Sequence, residues 1–157
     1  MTETTPQKRG RKIAMTPGER DVFLAEERTC RVATTAADGP HLTALWFVWD
    51  GLSLWLYSIT GSKRWADLTA DPRVAVLIDA GRDYDELRGV ELRGLVEVVG
   101  EVPRTGEPHP DLKVPEGLFS RKYTGSDTLP HDHRHAWLRL TPEKITSWDF
   151  RKLAAAR

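Results

Sequence analysis

LWLYSITGSKRWADLTADPRVAVLID, Leu54 to Asp79, is the stretch that decides the fold. An apolar run closes in Tyr57-Ser58, a turn carries Gly61, Ser62, Lys63 and Arg64, and a short helix follows. Asp71-Pro72 then leads into a second apolar run, Val74 to Ile78. The order is strand, cationic turn, helix, strand. Backbone N–H groups at a helix start, with a hydroxyl and two cations beside them, form a seat for a phosphate. The bland reading of Lys63 and Arg64 is a pair of solvated helix residues.

Working outward toward the N-terminus, Leu52 to Ser58 is preceded by the turn signal Asp50-Gly51, by the aromatic-rich run His41 to Trp49, by Asp38-Gly39, and by the alternating, β-branched Arg31 to Thr35. Two-residue turns between such runs predict an antiparallel meander with no room for crossover helices. Earlier still, Thr16-Pro17-Gly18-Glu19 has capping-box spacing with proline at the first helical position, which predicts a helix from Pro17 to Glu27. Residues 1–14 are polar, with Lys8, Arg9, Arg11 and Lys12 bunched together, and read as a flexible arm ahead of one domain spanning 15–157.

Toward the C-terminus, Arg73 to Asp79 is a strand, Gly81 to Glu86 a charged loop, and Gly89 to Val99 a long alternating strand. The mid-strand Gly94 signals a bulge or a barrel corner. Prolines 103, 108, 110 and 115 make the next segment an extended loop, and a helix is predicted from about Pro115 to Tyr123. Ala136 to Leu140 and Lys144 to Phe150 read as two last strands flanking Thr141-Pro142, and Arg151 to Arg157 as a short basic end. The fold class is mainly β (α+β), a closed or half-closed antiparallel barrel of six or seven strands with a few short helices.

Composition narrows the function. Lys plus Arg and Asp plus Glu number 23 each, so no global charge argues for nucleic acid or an anionic membrane. The start of the chain lacks a signal-peptide core, and no apolar run nears the ~20 residues of a membrane helix, so the protein reads as cytoplasmic and soluble. A single cysteine, Cys30, excludes an intramolecular disulfide. His131, His133 and His135 would share one face of an extended segment, which is a metal-ligand arrangement. Asp132 and Arg134 alternate with them and no cysteine lies near, so the run is read as a solvated or substrate-facing loop and no metal is assigned.

The ordered set of Asp-Gly turn, aromatic strand, Tyr57-Ser58, Gly61-Ser62-Lys63-Arg64, short helix and Asp71-Pro72-Arg73-Val74 resembles the flavin- and deazaflavin-binding split β-barrels, the superfamily of pyridoxamine 5′-phosphate oxidase. The resemblance spans about Arg31 to Val99, and the ending WLRLTPEKITSWDFRK is also similar to that family. It implies that Tyr57, Ser58, Ser62, Lys63 and Arg64 hold a cofactor phosphate, with Thr43, Trp46 and Phe47 on the strand that faces the ring. Where the oxidase carries an Arg and a Lys on that strand this chain has Thr43 and Val48, and a flavin-contacting glutamine is replaced near Gly89. These departures turn the expectation from the oxidase reaction toward coenzyme F420, with FMN the close rival.

The resemblance further implies a homodimer with the cofactor between subunits and a small-molecule substrate. Tyr84, Arg88 and Trp148 are candidate substrate contacts, and no side chain is assigned as catalytic. The expected function is an oxidoreductase moving a hydride to a small unsaturated or aromatic substrate. The alternative is a non-catalytic flavin, F420 or haem carrier of the same fold.

Overall fold

The structure, a computed structural model, describes residues 3–155. Residues 1–2 of the expected arm and 156–157 of the basic end lie outside the described residues. The order is α1 (Pro17–Glu26), β1 (Thr29–Ala36), β2 (Gly39–Trp49), β3 (Leu54–Ile59), α2 (Lys63–Ala70), β4 (Arg73–Ala80), a 3-10 turn at Tyr84–Glu86, β5 (Arg88–Val99), α3 (Lys113–Tyr123), β6 (His135–Asp149) and α4 (Arg151–Ala155). The strands are antiparallel and close into a barrel in the order β1-β2-β3-β6-β5-β4.

Period-two alternation sends one side of each strand inward. Cys30 and Val32, Leu54 and Leu56, Val74, Val76 and Ile78, Val90 and Leu92, and Leu138 and Leu140 form the interior. A second apolar cluster lies outside the wall, where α3 and its flanking loops cover Val48, Trp55 and Trp137 with Leu112, Phe119 and Leu129. α1 starts at its predicted capping box, the Thr16 side chain accepting from the Glu19 amide and the Glu19 carboxylate from the Thr16 amide.

Two expectations are corrected. The two predicted C-terminal strands are one strand, β6, because Pro142 falls at a bulge: Gly94 faces Pro142 while Arg93 faces Lys144. The α3 helix starts two residues earlier than predicted, so Pro115 is its third residue rather than its first. Residues 3–14 of the expected arm lie along β6. Beyond Leu140 that strand has no β3 partner, and the arm covers the open edge. There the Thr5 amide donates to Glu143 O (2.7 Å), the Gln7 side chain exchanges two hydrogen bonds with the Ser147 backbone, and the Asp149 amide donates to Ile13 O (2.7 Å).

One irregularity positions the site. β2 pairs with β1 from Trp46 to Gly39, but with β3 only through Phe47, Val48 and Trp49. β3 continues along β6 to Ile59, opposite His135. The barrel wall therefore splits between Thr43–Trp46 and Tyr57–Ile59. Backbone groups alternate sides along a strand. The Phe47 amide and carbonyl face the β1 side, where the Tyr123 hydroxyl bridges them to Arg28 O. The N–H and C=O of Ala44 and Trp46 consequently face the split. By the same alternation from Trp55, which faces β2, so do those of Tyr57.

Candidate functional site in the split wall

A cleft of about 650 Å³ opens on the split. Ala44, Leu45, Trp46, Tyr57, Ile59, Ser62 and Arg64 line its barrel side, and Phe119, Leu129, Pro130, His131, Asp132 and His135 line the other. Arg64 reaches from the first turn of α2 across the gap. Its Nε donates to Ser58 Oγ (3.1 Å) and its Nη1 to Thr43 Oγ1 (3.0 Å), one hydroxyl from each parted strand. The residue is only 8% exposed, yet no ion pair among the described residues includes it. Burial pushes its pKa below the ordinary guanidinium value, but an arginine does not shed its proton in a protein. A trapped positive charge held by two neutral hydroxyls is the main electrostatic feature of the cleft.

Ser62 is the N-cap of α2. Its hydroxyl accepts from the Trp65 amide (3.1 Å) and donates to Ile59 O (2.8 Å). The amides of Lys63 and Arg64 belong to the first turn, which has no intrahelical acceptors. The Lys63 Nζ turns away from the cleft to Asp67 (3.2 Å) and Asp38 (3.3 Å). The reason is helical geometry. Consecutive residues point about 100° apart, and Asp67 lies one turn on from Lys63.

The aromatic walls are ordered by α3. Trp46 is 47% exposed and stacks on Tyr123 with ring centroids 4.3 Å apart. Tyr57 stacks on Trp137 (4.5 Å) and meets Phe119 edge-on (5.5 Å). The Tyr57 hydroxyl is buried without a hydrogen-bond partner among the described residues. Burial, with the nearby Asp132 and Glu116 carboxylates, pushes its pKa up to about 12. Phe47, expected on the ring-facing surface, points instead into the barrel, where it is fully buried with Lys122 Nζ 4.0 Å from its ring.

Other candidates fall elsewhere. Val48 lies under α3, and Thr43 is the residue that anchors Arg64. Arg88 covers Phe23 and borders a separate pocket with Met15 and Glu19. Trp148 packs over Gly89, where an added Cβ would come 2.5 Å from its ring, and Tyr84 stacks on Phe150. All three belong to the far end of β6 from His135. The three histidines do not share a face, because His133 takes a left-handed backbone (φ 59°) that breaks the alternation.

The sequence reading missed the contributions of α3 and of the 129–135 segment. Phe119 and Tyr123 sit four apart on one helical face, and Asp132 stands at turn spacing before His135; both signals were present. Asp132 accepts the Arg134 and His135 amides (2.9 and 3.2 Å) and meets His135 Nδ1 at 2.5 Å.

A buried cation without an anion, a buried hydroxyl without a partner and main-chain groups outside the strand ladder, all among the described residues, suit a planar, hydrogen-bonding ligand with an anionic tail. Relatives can be placed against that geometry. A conserved hypothetical protein of Mycobacterium tuberculosis is 32% identical, with a TM-score of 0.76 over 96% of this chain and 93% of that one. A solved F420 reductase shares 24% identity (TM-score 0.58, 80% and 94% of the two chains), and an FAD-binding protein of Mesorhizobium loti 17% (0.64, 85% and 94%). These last two carry the likeness of fold alone. The comparison with curated proteins returns no match. The family model described as pyridoxamine 5′-phosphate oxidase matches residues 16–149, and the chain belongs to that family.

Proposed function

We propose that the split wall binds a phosphate-bearing flavin or deazaflavin, coenzyme F420 in preference to FMN, and that the protein is an oxidoreductase acting on a small unsaturated or aromatic substrate. The observation that carries this reading is Arg64: a buried guanidinium with no carboxylate partner among the described residues, opening on a cleft of suitable size. In this reading Arg64 and the first-turn amides of α2 hold the phosphate. The main-chain groups of Ala44, Trp46 and Tyr57 meet the polar edge of the ring, while Trp46 and Phe119 exclude water. The bound cofactor supplies the hydride; the chain's own part is to orient the ring and keep the site dry.

The choice of F420 rests on Thr43 and Val48. Neither supplies the positive charge that the oxidase places on this strand, since Thr43 is occupied with Arg64 and Val48 is buried. A homodimer completes the proposal. Leu42, Ala44 and Trp46 form an outward apolar stripe along β2, with Leu42 66% exposed, and the stripe runs into the open side of the cleft. A cytoplasmic location fits such a cofactor, and no helix among the described residues is long and apolar enough to cross a membrane.

The test is a fluorescence titration of the purified protein with reduced F420 and with FMN, followed by exposure of the reduced complex to a panel of acceptors. Saturable binding of one cofactor and its reoxidation by an acceptor are expected. Binding without reoxidation across the panel favours a carrier, and binding of neither overturns the assignment.

A further inference from the structure

The Asp132–His135 pair stands against the phosphate turn and has no part in the reading above. Ile59 faces His135 across the ladder, and its carbonyl accepts from both the Ser62 amide (3.1 Å) and the Ser62 hydroxyl (2.8 Å). The next residue, Thr60, donates its amide (2.9 Å) and its hydroxyl to Arg134 O. The turn bearing Ser62 and the start of β6 are thus fastened side by side, and Ser62, Arg64, Asp132 and His135 all line the one cleft. Two cations were expected at this seat, and Lys63 has left it for Asp38 and Asp67.

Asp132 fixes the imidazole. With Nδ1 engaged by the carboxylate, Nε2 has no partner among the described residues. Asp132 itself is partly desolvated, which would raise its pKa, but the Arg134 amide and His135 hold it below the usual carboxylate value. When His135 is protonated, the pair is neutral and Nε2–H is free to donate. When it is not, the Asp132 charge stands uncompensated beside the seat and Nε2 turns a lone pair outward. Both changes oppose an anion.

We propose that His135, oriented by Asp132, is the second cationic ligand of the anion held at Arg64 and the first-turn amides of α2, so that the seat loses affinity for a phosphate-like dianion as the imidazole deprotonates. The inference rests on the reading of Arg64 and the first-turn amides of α2 as an anion seat. Tyr57 from β3 packs on the His135 ring, and Arg64 from α2 and His131 from its own loop line the same cleft, with the Glu116–Arg104 pair of α3 and the loop before it behind Tyr57. Tyr57 stays protonated, with a pKa of about 12. Glu116, which burial alone would raise, is held low by Arg104, so this pair keeps its charges. His131 is the other imidazole lining the cleft, which makes His131→Gln the control.

The experiment uses inorganic sulfate, a dianion at every pH of interest, titrated into the whole protein while the amide resonances of Ser62 to Arg64 are followed by NMR. At about pH 5.5 and about pH 8, either side of the ordinary imidazole value, the wild-type dissociation constant rises by about tenfold, the scale of one charged hydrogen bond. His135→Gln binds equally at both, near the wild-type value at the higher pH, and His131→Gln keeps the wild-type rise. Asp132→Asn binds more tightly than wild type at the higher pH. An equal constant at the two pH values in wild type, or an undiminished rise in His135→Gln, overturns the proposal while the seat stands. The lack of any sulfate-dependent shift at Ser62–Arg64 at both pH values removes the seat, and the proposal with it.

Discussion

Two buried arginines, Arg64 and Arg104, differ in the inventory of their partners, and the difference separates a ligand site from a clamp. Arg104 is 3% exposed and has its donors taken up: Nε and Nη2 form a fork on Glu116 (2.8 and 2.9 Å), while Nη1 meets Glu101 and Glu107 O. Its amide donates to His135 O (2.7 Å), and Glu116 in turn accepts from Trp137 Nε1 (2.9 Å). The proline-rich loop, α3 and β6 are tied together at one point. Arg64, about as deeply buried, has only Ser58 and Thr43 among the described residues. Burial alone does not tell the two apart; the absence of a carboxylate does.

The most damaging break is at the clamp. Arg104→Ala leaves Glu101 and Glu116 partly buried without a counter-charge, and about 3–5 kcal/mol of stability is lost in denaturant unfolding. A loss below 1 kcal/mol would mean that the two arginines are not different in kind. Arg64→Ala gives the converse pattern. Affinity for the favoured cofactor falls by about 1.5–3 kcal/mol, the scale of a charged hydrogen bond, while the unfolding curve moves less than in Arg104→Ala, because two hydrogen bonds to hydroxyls are lost but no ion pair is broken.

Acid sharpens the contrast. Burial works against the Glu101 charge, yet donation from Arg104 and the Glu107 amide holds its pKa down to about 2 from 4.5. Since the folded value is the lower one, this stability is present above about pH 4.5 and is lost as the pH falls toward 2. In Glu101→Gln the stability difference between neutral pH and pH 3 therefore shrinks. Arg64 contributes no such acid limb.

Smaller effects come from two lysines. Lys63→Ala changes cofactor affinity little, and stability by about 1 kcal/mol, because Lys63 is half exposed and the buried Asp67 carboxylate keeps its hydrogen bond from the Thr34 hydroxyl (2.8 Å). A large affinity loss there would return Lys63 to the phosphate. Lys122, half-buried and in no ion pair among the described residues, has its pKa lowered to about 8 by desolvation and by Arg28. The unfolded chain holds that proton up to 10.5, so the group contributes rising stability between about pH 8 and 10.5. Lys122→Met removes this rise. A lysine relieves its burial by losing a proton, whereas Arg64 needs an anion.

Much of the barrel was legible locally. The Asp38-Gly39 and Asp50-Gly51 signals placed the meander, Thr16 to Glu19 placed α1, and Gly94 marked the bulge, where an added Cβ would come 3.0 Å from Thr141 O. Pro142 misled because proline argues against a continuous strand, and only the bulge opposite Gly94 accommodates it. In the site, Ser62 and Arg64 were legible as a helix-start pair. Lys63 was assigned by type rather than by direction, although Asp67 four residues on was the available sign that it faced elsewhere.

By itself the sequence determined the strands, the turns and a cation at the head of α2, since alternation, turn chemistry and capping act over a few residues. Tertiary structure decided where β2 and β3 part, which of two adjacent cations faces the gap, and that α3 and the 129–135 segment close it. Those outcomes depend on register and on partners far apart in the chain. Whether a charge is satisfied is a property of everything packed around it.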